Sequence, residues 1–192
     1  MLQPCAVLRV ALAAAVVLCA SPLVARAQDR PQIVAPATDP QAQADLADAY
    51  FYGRGQPQSY KEARRWFDKA AAQGHPQATR RLGEMYADGL GGKKSKTKAR
   101  ELWIAAEKAG DPQAAILVAD SLYQEITGKR TPEPGKFKFE GGVPLASVDD
   151  AIAWYEAAEA HDPRPASQTR AKAALHVLKT LKSAASAAPK GR

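Results

Sequence analysis

Apolar side chains recur at helical spacing in two strings per unit, and the unit itself returns after 36 residues. The first string is Ala42, Leu46, Ala49 and Tyr50, closed by Gly53; the second is Ala63, Trp66, Phe67, Ala70 and Ala71, closed by Gly74. Steps of three and four place each string on one face of a helix. One period on, the ladder reads Ala78, Leu82, Tyr86, Gly89, then Ala99, Leu102, Ala106 and Gly110. Each unit opens on a capping residue and a proline, at Asp39-Pro40, His75-Pro76 and Asp111-Pro112, with a partly changed fourth opening at Asp162-Pro163. Aspartate accepts hydrogen bonds from free amides at a helix start, and proline loses no bond at the first helical position; His75 reads as a weaker cap. The Gly53-Arg54-Gly55 and Gly89-Leu90-Gly91 turns separate the helices of a pair, with second helices predicted over about 60–73 and 98–109. Ala47, Gly83 and Ala119 occupy one position of the unit. A glycine within a helix costs up to about 1 kcal/mol, so a recurring small residue there predicts close helix approach.

The third copy begins with Asp111, Pro112, Ala114, Val118 and Leu122 and is then stretched: Ala99 maps onto Ala151, 52 residues later. The extra residues span about Thr127 to Gly142 and include Lys129, Arg130, Lys136, Phe137, Lys138 and Phe139. Long loops often carry function, which makes these six candidate partner contacts, against the plainer reading of a tolerated surface loop. The second helix resumes at Asp150 and runs through Ala160, and a last one follows Asp162-Pro163 with a stripe of Ala171, Ala174, Leu175, Leu178 and Leu181. A fixed period of this length signals stacked repeats whose terminal unit caps the array. The predicted fold is all-α: an α-solenoid of helix-turn-helix repeats at 39–74, 75–110 and 111–161, a capping helix at 163–183 and a disordered basic tail at 184–192.

The N-terminal segment reads as an address. Arg9 supplies a positive charge, Val10 to Val24 is nearly all apolar, and Ala25-Arg26-Ala27 fits a cleavage site. Residues 1–27 are therefore expected to be a signal peptide and 28–38 a proline-containing linker. Periplasmic or secreted location follows. Lipidation at Cys19 is the lesser alternative, since Leu18 is not the small residue such signals favour. Both cysteines, Cys5 and Cys19, fall in this segment, so the remainder has no thiol for a disulfide or metal site.

The chain carries 27 Lys and Arg against 20 Asp and Glu. The last acid is Asp162, beyond which seven cations follow, so the excess charge sits at the C-terminal end. Arg170, Lys172, Lys179 and Lys182 are candidate anion contacts there. So are Lys93, Lys94 and Lys96, whose first-copy counterparts are Pro57, Gln58 and Tyr60, so the unit itself does not demand that charge. A solvated loop is the alternative. Nucleic acid is not an expected partner outside the cytoplasm.

Little points to catalysis. The chain has no phosphate loop, G-x-S-x-G elbow or H-E-x-x-H. Asp149-Asp150 is read at a helix start, where anions suit the macrodipole. His161 and His176 lack partners at metal-ligand spacing. Trp66, Phe67, Trp103, Trp154 and Tyr155 fall at matched positions expected to pack in the core. No enzyme activity, cofactor or metal is expected.

Three segments carry a family resemblance: Leu82 to Gly91, Glu62 to Gly74 and Ala151 to Ala158. Leu82-Gly83-Glu84-Met85-Tyr86-Ala87-Asp88-Gly89-Leu90-Gly91 resembles the first half of the Sel1-like repeat, a relative of the tetratricopeptide repeat, and the other two resemble its second helix. The sequence departs from the family where a valine follows the turn: Gln56 and Gly92 stand there, and Gly142-Val143 is displaced by the insertion. The resemblance implies an adaptor or regulator that holds another envelope or secreted protein. Two other functions are carried beside it: attachment to an anionic envelope polymer or lipid through the C-terminal helix and, more remotely, an envelope hydrolase.

Overall fold

The computed structural model describes residues 38–128 and 145–187. Their helices all belong to one compact unit, Gln32–Arg192. In chain order they are α1 (Pro40–Tyr52), α2 (Tyr60–Ala72), α3 (Pro76–Asp88), α4 (Lys96–Lys108), α5 (Ala114–Thr127), α6 (Leu145–His161) and α7 (Pro165–Ala187). There is no strand among the described residues. Helices α1 and α2, α3 and α4, and α5 and α6 pair as hairpins; α2 meets α3, α4 meets α5, and α7 closes on α6 and touches α5. This is an all-α row of hairpins, as the 36-residue period implies.

Local chemistry sets the helix ends. The Asp39 carboxylate accepts from the Gln41 and Ala42 amides, and the Ser59 hydroxyl from Glu62. His75 does cap α3: its Nδ1 accepts from the Ala78 amide at 3.1 Å. Its Nε2 hydrogen-bonds Gln41 Oε1 at 2.9 Å, so one neutral tautomer serves both contacts and ties repeat two to repeat one. Ser95 caps α4 through the Lys98 amide, which starts that helix two residues before the predicted Lys98. Gly53 and Gly89 end the first helices in the left-handed region, at φ 69° and 79°, where a side chain would be strained.

Four predicted boundaries are corrected. Helix α5 begins at Ala114, after Asp111-Pro112, because one Asp111 oxygen accepts from Gln113 while the other is held by Arg80 of α3. Helix α7 begins at Pro165, because the Asp162 carboxylate closes on the Arg164 amide and guanidinium. It runs on to Ala187, past the predicted end at 183. Helix α6 starts at Leu145 and not Asp150, so Asp149-Asp150 lie in its second turn, away from the macrodipole's positive end.

Each second helix buries Ala, a large ring and Ala at steps of four and three: Ala63, Phe67, Ala70; Ala99, Trp103, Ala106; Ala151, Tyr155, Ala158. The rings are 1 %, 7 % and 0 % exposed, while Trp66 and Trp154 are only partly buried beside them. Gly83 faces the largest ring. A Cβ there would lie 2.6 Å from Trp103 Nε1, whereas Ala47 and Ala119 share clusters with the smaller Phe67 and Tyr155. Gly83→Ala is therefore expected to destabilise by about 1–3 kcal/mol through overpacking, and Trp103→Phe in the same chain to recover part of the loss. Denaturant midpoints of the single and double variants check this.

Candidate functional site

Of the sequence-derived candidates, Lys129, Arg130, Lys136, Phe137, Lys138 and Phe139 lie outside the described residues. The C-terminal cations are inside, and each meets an acid. Arg170 reaches Asp120 at 2.8 Å, Lys172 Glu159 at 3.7 Å, Lys179 Glu156 at 2.9 Å and Lys182 Asp149 at 2.6 Å. Such exposed pairs contribute about 0–1 kcal/mol each, but they neutralise much of the basic face of α7. Lys93 and Lys94 lie in the α3–α4 turn and Lys96 opens α4; all three are exposed and have no ion-pair partner among the described residues.

Lys94 and Lys96 stand at one side of a cleft of about 240 Å³ between the second and third hairpins. Ala87 and Asp88 at the end of α3, Trp103 of α4, Leu117 and Asp120 of α5, and Arg170 of α7 contribute to its wall. Asp120 anchors that wall. It accepts from the Tyr155 hydroxyl at 2.8 Å and pairs with Arg170, joining α5, α6 and α7. Burial pushes its carboxyl up to about 6, against the opposing pull of Arg170 and the Tyr155 hydrogen bond. Burial, and the adjoining Asp120, push the Tyr155 phenol up as well. Reading the sequence by helix stripe missed Asp120. The signal was present, since Asp48, Glu84 and Asp120 stand one period apart, each following the small residue of its helix. Glu84 meets Arg80 and Arg81, and burial raises Asp48. At the second and third hairpins the acid is thus tied up by basic or phenolic partners and cross-braces the fold, whereas Asp48 Oδ1 is buried without a hydrogen-bond partner.

These shifts have opposite pH signatures. The folded chain holds the Asp120 proton more tightly than the unfolded chain, so its contribution to stability falls as pH rises from about 4 through about 6, by about 1–3 kcal/mol. Asp162 is lowered to about 2, first by its hydrogen bonds to Arg164, so its contribution is present above about 4 and lost as pH falls through about 2. Denaturant midpoints from pH 2 to 7 are expected to show both limbs, with Asp120→Asn flattening only the upper one.

No group of three or more His, Cys, Asp or Glu among the described residues is placed to hold a metal ion. No described helix is long and apolar enough to cross a membrane.

The family model of the Sel1 repeat matches residues 40–75 and 76–111. The fold is similar to that of a Sel1 repeat protein from Oxalobacter formigenes, at TM-score 0.54 and 24 % identity, over 72 % of this chain and 49 % of that one. It is similar also to c5321, a protective antigen of uropathogenic Escherichia coli strains with an SLR fold, at TM-score 0.54 and 25 % identity, over 76 % of this chain and 30 % of that one. This chain thus spans about half the length of the first and under a third of the second. No curated protein matches it significantly. Sel1-repeat proteins are typically non-enzymatic scaffolds for protein interaction. Two Sel1 repeats packed as consecutive hairpins, with neighbours of the same architecture, thus make up the first half of an all-α repeat fold in this chain.

Proposed function

We propose that the chain is a non-catalytic adaptor or regulator that holds another envelope or secreted protein, working in the periplasm or outside the cell after removal of residues 1–27. The stacked Sel1 repeats carry this reading, because a row of hairpins whose rings face inward leaves its polar surface for partners. Arg9, the apolar run from Val10 to Val24 and Ala25-Arg26-Ala27 support export. The insertion over about 127–142 is the segment least dictated by the repeat, and so the part best suited to choosing one partner. The pairing of Arg170, Lys172, Lys179 and Lys182 with acids of α5 and α6 speaks against the alternative of an anionic polymer or lipid held by α7.

Crosslinking and recovery of the intact protein from envelope extracts of its native organism tests the reading. One partner recovered by the wild type and lost when 127–142 is deleted is the expected result. Recovery of nothing by either form would overturn it.

A further inference from the structure

We infer that the cleft between the second and third hairpins receives an aromatic side chain from an acidic segment of the partner. This rests on the adaptor reading and gives that partner a chemistry. The argument comes from the chain's own first junction, one period earlier. There Phe51, Tyr52, Tyr60 and Arg81 hold the positions that Ala87, Asp88, Lys96 and Leu117 hold at the cleft. Those side chains cluster over their junction, with Phe51 partly buried and Tyr52 and Tyr60 still 44 % and 37 % exposed. Phe51 packs edge-on against Tyr52 and Tyr60, with ring centroids 4.9 and 5.2 Å apart, and Arg81 Nη2 donates to the Tyr52 hydroxyl at 3.1 Å. Gln58, the counterpart of Lys94, donates to the Phe51 carbonyl and the Tyr60 hydroxyl and closes the group.

At the second junction the rings are absent, and about 240 Å³ stands open beside Trp103 and Leu117. The removal of the rings coincides with added positive charge, since Gln58 and Tyr60 become Lys94 and Lys96, next to Lys93. None of the three lysines is neutralised by a described residue. The wall also carries Asp88 and the Arg170-paired Asp120, but Lys93, Lys94 and Lys96 outnumber the one unpaired acid. The cleft therefore suits a ring flanked by carboxylates, because a buried aromatic anchor dominates binding while the charges steer and orient it. A basic aromatic segment would meet repulsion at the same rim.

The test uses the full chain and a fluorescent hexapeptide with one central tyrosine among glutamates, blocked at both ends so that no terminal carboxylate takes part. Saturable binding at low salt is expected. It should weaken at least about tenfold when the tyrosine is replaced by alanine, when the glutamates are replaced by lysine, or when the first junction's residue is restored by Ala87→Phe. Lys96→Tyr is the second variant, at an exposed site that leaves the core untouched, and should also weaken binding. Circular dichroism establishes that both variants are folded. Absence of binding, or equal binding of the alanine and tyrosine peptides, would overturn the inference. So would a folded Ala87→Phe protein that binds as the wild type does. Equal recovery of a native partner by wild type and Ala87→Phe would sink the cleft while leaving the adaptor reading intact.

Discussion

Arg80→Ala is expected to destabilise the protein by about 3–5 kcal/mol, because it strands a buried charge. Arg80 is 6 % exposed although it lies within a helix, and Asp111, 6 % exposed, stands at the opening of the next repeat. Arg80 Nε donates to Asp111 Oδ2 at 2.9 Å, and Nη1 meets Glu84 one turn along α3. The Arg80 backbone carbonyl also accepts from Trp103 Nε1 at 3.3 Å, so side chain and main chain together bind α3 to both α4 and the third repeat. Truncation to alanine leaves the Asp111 carboxylate in place with the Gln113 amide as its remaining donor among the described residues. Asp111→Asn alone should cost less, since a neutral amide needs no counter-charge. The pair should couple: the double variant is expected to lose markedly less than the two single losses combined. Urea unfolding of the four proteins supplies the cycle, and additive losses would remove the ion pair from the account.

Tyr155→Ala is expected to cost a similar amount, about 3–5 kcal/mol, through the cavity it leaves. The ring is fully buried, lies edge-on to Tyr123 with centroids 6.3 Å apart, and belongs to the cluster that joins α5, α6 and α7. Tyr155→Phe separates the two roles of the residue. It keeps the ring and removes the hydroxyl that donates to Asp120, and should cost about 1–3 kcal/mol. Because the lost donor serves the ionised carboxylate, Tyr155→Phe should also push the Asp120 carboxyl further up. The fall in stability, which still begins near pH 4 where the unfolded carboxyl titrates, would then extend to higher pH, read from the same denaturant midpoints.

The row of hairpins was legible because everything that specifies it is local or periodic. The apolar steps of α1 to α4, the left-handed Gly53 and Gly89 and the caps at Asp39 and His75 each act within a few residues. Where the reading slipped, a distant partner had intervened. Asp111 and Asp162 look like caps in sequence, but arginine side chains recruit their carboxylates and delay the helices by two residues. The early start of α6 was hidden by the insertion, which breaks the register used to place Asp150, while Val148 is drawn into the core. The far end of α7 was read as tail because its residues are small, yet alanines favour helix and carry it to Ala187. The C-terminal charge excess was visible as composition, but its neutralisation was not. Asp149, Glu156 and Glu159 run up α6 as Lys182, Lys179 and Lys172 run down α7, a match that exists only once the two helices lie antiparallel. The cleft needed both kinds of information. Its substitutions are plain in the period, but the space they leave appears only when the neighbouring hairpin is in place.

The central claim is that each hairpin is sheltered by the next. Amide hydrogen exchange across the Trp103→Ala protein tests it most directly, since Trp103 belongs to the middle hairpin and packs in a cluster with Val118 of the third. Nearest-neighbour stacking predicts that protection falls in α3 and α4 and also in α2 and α5, which flank them. Loss confined to α3 and α4, with α2 and α5 as protected as in the wild type, would contradict the account.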